Sequence, residues 1–97
     1  SLLQFMAIDN YIREQQFLKA EQRLAIYRAI DPENPDVEFL AAKILLYKGE
    51  YDQTMKKLSK AVKKGYDNFK VLRNSEFSEK LANREDFVLT LEEIYPK

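Results

Sequence analysis

Two residue types with reactive side chains, cysteine and histidine, are absent from the 97 residues of the chain. Disulfide bonds, thiolate-bound zinc, iron–sulfur clusters, imidazole bases and the Ser/His or Cys/His catalytic pairs all need one of the two. The sequence therefore excludes these sites and these mechanisms. A chain without cysteine is compatible with reducing and oxidising compartments alike, so the localisation stays open.

Glycine and proline are scarce as well, with two and three residues respectively. They occur at Pro32, Pro35, Gly49, Gly65 and Pro96, and they divide the chain into blocks of helical length. Within the blocks, apolar residues recur every three or four positions, and no alternation of period two lasts long enough to indicate a strand. The pattern predicts an all-α fold, and the length allows one hydrophobic core.

Helix start and stop signals fit the same pattern. Asp36 is a candidate N-cap for the helix that follows it. Gly65, directly after Lys63 and Lys64, is typical of a helix C-terminus with cations at the negative end of the dipole.

No overall excess of charge is present, because 16 basic residues balance 16 acidic ones. The balance removes the global positive charge on which non-specific binders of nucleic acids and anionic membranes depend. Locally, residues 51–74 carry seven cations and two anions, and residues 75–97 carry six anions and three cations. On a helix at 51–64 the lysines fall opposite the apolar residues, so we interpret them as a solvated helix face. A contact with an acidic protein or a nucleic acid is the alternative, but no aromatic residue lies between the lysines of this helix to stack a base. No nucleic-acid partner is predicted.

Long apolar runs are absent too. None approaches the roughly 20 residues needed to cross a bilayer, so membrane insertion is not expected. The sequence begins with Ser1 and shows no basic stretch followed by an apolar one, so we interpret it as a soluble processed product or a segment of a longer protein.

Carboxylates are the remaining candidates for catalysis, and they cluster late in the chain. Glu92 and Glu93 are adjacent, which on a helix turns them about 100° apart rather than across a substrate. No Gly-rich phosphate loop and no Gly-flanked serine occurs. The sequence predicts no catalytic residue, no metal ligand and no cofactor.

The chain repeats itself when it is compared with itself at a shift of 34 residues, and residues separated by this shift are termed equivalent. Between residues 1–34 and 35–68, the identical equivalent pairs are Phe5 and Phe39, Ala7 and Ala41, Leu24 and Leu58, and Asn34 and Asn68. The turn at 15–17 also coincides with the turn at 49–51. The self-similarity predicts two like helical hairpins, at 1–34 and 35–68.

These two units resemble the tetratricopeptide repeat (TPR), an antiparallel helix pair of the same length. The matching positions are Tyr11, Ala20, Leu24 and Pro32 in the first unit, and Gly49, Tyr51 and Ala61 in the second. Residues 69–97 are similar to the end segments of bacterial arrays, with helices expected near 69–73, 76–82 and 84–94. The resemblance implies TPR-like hairpins stacked in a short right-handed superhelix, an α–α solenoid, closed by a C-terminal helical cap.

In this family the inner face of the first helix of each pair lines a groove that binds peptides. The resemblance places on that face Leu2, Phe5, Asp9, Ile12 and Arg13 of the first unit, and Asp36, Phe39, Lys43, Leu46 and Tyr47 of the second. It implies that a peptide inserts apolar side chains between Phe5, Ile12, Phe39, Leu46 and Tyr47, while Arg13 and Lys43 orient its carboxylates or carbonyls. Relatives that clamp the acidic tails of chaperones have Lys and Asn where this chain has Phe5 and Asp9, so co-chaperone activity is not expected.

The resemblance therefore implies a protein–protein interaction module that binds a peptide or a partner protein of unknown identity. One alternative is a structural end-cap of a longer TPR array or multidomain protein, whose inner face packs within that protein. A homo-oligomer that uses the exposed inner or N-terminal face is also open. A further alternative is an accessory module that positions a separate catalytic domain.

Overall fold

The computed structural model describes residues 2–96, and within that range all regular structure is helical. The helices are α1 (Leu2–Arg13), α2 (Phe17–Ile30), α3 (Pro35–Tyr47), α4 (Tyr51–Lys63), α5 (Phe69–Arg73), α6 (Glu76–Leu81) and α7 (Glu85–Ile94). The predicted all-α fold is confirmed. The last three helices begin and end within a residue or so of the predicted bounds.

Helices α1 and α2 are joined by a short turn, and an equivalent turn joins α3 to α4. Gln15 (φ 59°) and Gly49 (φ 78°) both adopt the left-handed backbone conformation. The next residue in each turn, Gln16 or Glu50, donates its backbone N–H to the carbonyl five positions earlier, at 2.8 and 2.9 Å. Equivalent residues thus close the two hairpins in the same way.

The N-cap of helix α3 differs from the residue that the sequence predicts. Asn34 is the N-cap, and its side-chain oxygen accepts from the backbone N–H of Asp36 at 2.9 Å, with Pro35 at the first helical position. The prediction that Asp36 is the cap is therefore wrong. Its equivalent Asn68 caps α5 by accepting from the Val71 N–H at 3.2 Å.

Helix α4 ends where its glycine predicts. Gly65 has φ 108°, and the helix ends two residues earlier at Lys63. The helix buries Met55, Leu58 and Ala61 along one side, and Lys56, Lys60 and Lys63 are exposed. The predicted solvated lysine face is confirmed for these three residues, whereas Lys57 and Lys64 are partly buried and Lys64 donates from Nζ to the carbonyl oxygen of Pro32 at 2.9 Å.

Helix α3 lies at the centre of the core and contacts α1, α2, α4 and α6. Leu40 and Ala42 on this helix are wholly inaccessible to solvent. Helix α7 packs on α4, and α5 packs on α6 and α7. The buried side chains of these C-terminal helices are Leu72, Phe77, Leu81 and Phe87. The last three helices therefore cover α3 and α4 with apolar surface.

A buried carboxylate joins the two hairpins beside this core. Arg28 of α2 donates from Nη1 to Oε1 of Glu38 on α3 at 2.7 Å. Burial raises the pKa of Glu38, but the hydrogen bond and charge of Arg28, with the charges of Lys57 and Lys64, outweigh burial and hold the pKa below its usual 4.5.

None of the helices between residues 2 and 96 combines the length and the apolar character that a bilayer crossing requires.

Candidate interaction groove

A groove of about 530 Å³ opens beside α1 and α3. The residues that line it are Leu2, Phe5, Asp9, Arg13, Tyr27, Asn34, Asp36, Phe39, Lys43, Tyr66, Asn68 and Val71. Seven of them belong to α1 and α3, and the others come from α2, from the loop before α3 and from residues 66–71. The lining is partly aromatic and partly charged.

Two stripes of equivalent residues form the main walls of the groove. Helix α1 contributes Phe5 and Asp9, and α3 contributes their equivalents Phe39 and Lys43. Steps of three and four residues keep side chains on one helix face, so each stripe continues along its helix. Leu2 and Asp36 stand at the same end of the two stripes.

Stacked aromatic rings form the floor. The centroid of the Phe5 ring lies 6.2 Å from that of Phe39, with 12° between the ring planes. The Phe39 ring also stacks on Tyr66 at 4.6 Å and on Phe77 at 5.3 Å. Phe39 is only 2% exposed, whereas Phe5 is half-buried and offers part of its ring to the groove.

A charged triad stands at one end of the floor. Lys43 donates from Nζ to Oδ1 of Asp9 at 2.5 Å, and Arg13 pairs through Nε with Oδ2 of the same carboxylate at 2.9 Å. The Lys43 and Asp9 side chains are 8% and 11% exposed, while the Arg13 side chain is 62% exposed. The buried ammonium group of Lys43 is therefore occupied by Asp9. The exposed guanidinium of Arg13 is the cation of the triad that a ligand can contact.

The opposite end of the groove is acidic and phenolic. Burial raises the pKa of Asp36, and the charge of the chain's amino group acts in the other direction. Burial, then the charges of Asp36 and Asp67, raise the pKa of Tyr66. Tyr27 accepts a hydrogen bond at its hydroxyl from Nδ2 of Asn34 at 2.8 Å.

Of the ten residues that the resemblance places on the inner face, the structure brings seven together in the groove, namely Leu2, Phe5, Asp9, Arg13, Asp36, Phe39 and Lys43. Ile12 and Leu46 are 0% and 3% exposed and belong to the core, which contradicts the prediction that a peptide inserts between them. The reason is helical geometry, because Arg13 continues the α1 stripe and the preceding residue points about 100° away.

Tyr47 also lies outside the groove lining. Its hydroxyl donates to Oε1 of Glu76 at 2.8 Å and so ties α3 to α6. Burial, the hydrogen bond and the charge of Glu76 raise the pKa of Tyr47 to about 12. The residue holds the C-terminal helices rather than a ligand.

The groove residues that the sequence reading missed come from outside α1 and α3. They are Tyr27, Asn34, Tyr66, Asn68 and Val71. Two of these residues, Asn34 and Asn68, are identical at equivalent positions, and this identity in the sequence could have indicated them. Tyr66 gave no such signal, because its place depends on how the chain turns after Gly65.

Among residues 2–96, no group of three or more acidic side chains is placed to hold a metal ion. Comparison with protein-family models, with curated proteins and with solved structures found no match for this chain. The functional argument therefore depends on the geometry of the groove.

Proposed function

We propose that this chain is a protein–protein interaction module built from two TPR-like hairpins and a helical cap, and that its groove binds a peptide segment of a partner protein. The observation that carries the proposal is the direct contact between equivalent residues. Phe5 stacks on Phe39, and Asp9 pairs with Lys43, in each case across 34 positions. Contacts of this kind are expected when two copies of one unit stack side by side.

The equivalent turns and caps support the same reading. Gln15 and Gly49 share the left-handed conformation, and Asn34 and Asn68 each cap a helix. Repeated local geometry together with repeated contacts favours a stacked repeat over an unrelated arrangement of helices.

The groove has the composition of a peptide site. Leu2 is 73% exposed, and the half-buried Phe5 lies beside it on the same stripe, so apolar side chains of a ligand have surface to cover. Burial of this surface supplies affinity, and Arg13 fixes orientation and association rate. We assign the groove no catalytic role, because Asp9 and Lys43 are already paired with each other.

A matched pair of variants tests the proposal. Leu2→Asp places a charge on the groove, and Leu89→Asp places the same charge on an apolar side chain of α7 that is 57% exposed and outside the groove lining. A random library of decapeptides with blocked ends is selected on the wild-type chain, and the affinities of the selected peptides are measured on both variants.

We expect Leu2→Asp to weaken the selected peptides by about tenfold or more, since an apolar contact is replaced by a charge. Leu89→Asp leaves them unchanged, and circular dichroism shows both variants folded. A library that yields no binder, or binders that both variants retain equally, contradicts the proposal.

A specific observation favours a second candidate, the structural end of a longer array. Val37 and Leu40 on α3 are fully buried, while the equivalent Leu3 and Met6 on α1 are 79% and 51% exposed. In α3 this face is covered by neighbouring helices, so the equivalent face of α1 is suited to a further hairpin of the same kind.

The double variant Leu3→Lys/Met6→Lys tests this second candidate. The wild-type chain is expected to bind an anilinonaphthalene dye or to self-associate in sedimentation, and the double variant is expected to lose that behaviour. Leu2→Asp serves as the groove control. Equal dye binding and equal mass in the wild type and the double variant contradict this candidate and leave the groove proposal intact.

A further inference from the structure

The acidic end of the groove contains a carboxylate without a side-chain partner among residues 2–96. Asp36 lines the groove and is partly buried, and its side chain forms no hydrogen bond or ion pair with another residue in that range. The other groove carboxylate, Asp9, is held by two cations. The two carboxylates therefore differ: Asp9 is paired with two side-chain cations, whereas Asp36 has no side-chain cation in that range and only the charge of the chain's amino group acts on it.

The charge of the Asp36 carboxylate acts on the phenol group of Tyr66. Tyr66 lines the same groove, and the charges of Asp36 and Asp67 both act on its phenol. The Tyr66 ring is fixed by its stack on Phe39, so the hydroxyl is held in place before a ligand arrives. Carboxylate and hydroxyl oxygens are acceptors, which suits them to a cationic donor.

The two ends of the groove differ in the charged group that they expose. Asp36 and Lys43 stand seven residues apart on α3, which corresponds to about 10 Å along the helix axis. At the Lys43 end, Lys43 and Arg13 share Asp9, and their charges also act on Glu76, so the cation that this end exposes is the guanidinium of Arg13, whose side chain is 62% exposed. The aromatic floor at Phe39 separates this end from the Asp36 end.

We propose that Asp36 and the Tyr66 hydroxyl form a subsite for a lysine or arginine side chain of a peptide bound in the groove, and that Arg13 receives an acidic side chain about 10 Å further along. This inference rests on the proposed function and adds the direction and charge pattern of the ligand. An extended peptide covers about 10 Å in three residues, so the ligand has a basic residue, an apolar middle and an acidic residue three positions after or before the basic one.

The test uses the blocked decapeptide library, whose acetylated and amidated ends carry no charges that could imitate a side chain. Selections are run on the wild type, on Asp36→Asn and on Asp36→Lys. The control is Glu93→Lys, which makes the same charge change on an exposed face of α7 outside the groove. Circular dichroism melting curves show whether each variant is folded.

We expect wild-type selections to be enriched in a Lys or Arg residue three positions from an Asp or Glu residue. Asp36→Asn weakens the best selected peptide about tenfold, since a hydrogen bond between charged groups is replaced by a weaker one. Asp36→Lys removes the preference for the basic residue, and Glu93→Lys leaves it unchanged. Replacing the basic residue of the selected peptide by glutamine gives the same loss on the wild-type protein, which tests the subsite without any variant.

Three results would contradict the proposed subsite. Peptides that depend on Leu2 but show no preference for a basic residue overturn the subsite and leave the groove proposal standing. A basic preference that Asp36→Asn does not reduce also overturns it. A library without any binder contradicts the groove proposal itself, and the subsite with it.

Discussion

The two hairpins have the same local geometry but different surroundings. Their turns are superimposable in hydrogen bonding, yet α3 is buried on most of its surface, whereas α1 and α2 expose Leu3, Leu18, Ile26 and Ile30. The hairpin form is therefore set by short-range signals in the turn, and burial is set by what packs on either side. Three ion pairs join one hairpin to the other: Asp9 with Lys43, Glu38 with Arg28, and the more exposed Glu21 with Lys48.

The junction between the hairpins is expected to be most sensitive at Lys43. Lys43→Met leaves the buried carboxylate of Asp9 with Arg13 alone, and we expect the free energy of unfolding to fall by about 3 kcal/mol. Urea unfolding followed by circular dichroism measures the change.

The double variant Asp9→Leu/Lys43→Met serves as the comparison, because it removes both charges, and it should regain most of the lost stability. Arg13→Ala, on an exposed side chain, should cost under about 1 kcal/mol. A Lys43→Met chain as stable as the wild type would show that this ion pair does not hold the hairpins together.

The equivalent turn residues offer a direct comparison of the hairpins. Gly49→Ala puts a Cβ at φ 78°, where nothing lies within 4 Å of it, so the cost is backbone strain alone, about 1 kcal/mol. Gln15→Gly relieves the same strain at φ 59° and should raise stability by about 0.5 kcal/mol.

Thermal melting of the two single variants measures both changes. The expected result is opposite signs at equivalent positions. Changes of the same sign would mean that the two turns do not share one backbone conformation.

The pH dependence of stability should reveal the second ion pair, with a smaller effect because the Arg28 side chain is 40% exposed and solvent screens it. The pKa of Glu38 is lowered in the folded chain, so the unfolded state takes up a proton first as the pH falls. The contribution is fully present above pH 4.5 and is lost as the pH drops through the lower pKa of the folded state.

The variant Glu38→Gln should therefore lose less stability than the wild type when urea midpoints at pH 6 and pH 3 are compared. The pKa of Asp36 is raised by burial and acts in the opposite direction, so the difference between the two chains isolates Glu38. Parallel loss of stability in both chains would assign the acid sensitivity to other carboxylates.

Much of the fold could be predicted from the sequence because its signals are local. Apolar spacing, Gly65 and the scarcity of other breakers define the helices, and the identity of Phe5 with Phe39 indicates the pairing of α1 with α3. The site was harder to predict. The sequence predicts that Lys43 contacts a ligand, but in the structure Lys43 pairs with Asp9. Which partner Lys43 binds depends on the distance between α1 and α3, and the sequence pattern does not specify that distance. The prediction for Ile12 is wrong for a different reason. Neighbouring positions on one helix differ by about 100° in direction, so Ile12 and Arg13 do not both face the groove.

The contact between equivalent residues across α1 and α3 is the central claim, and nuclear Overhauser effects between aromatic protons test it most directly. With ring centroids at 6.2 Å, the edges of the Phe5 and Phe39 rings are close enough to give cross-peaks, and Phe39 should give stronger ones to Tyr66 at 4.6 Å. A Phe5 ring whose cross-peaks lead only to residues of α1 and α2, with none to Phe39, would contradict the stacked arrangement and the groove built on it.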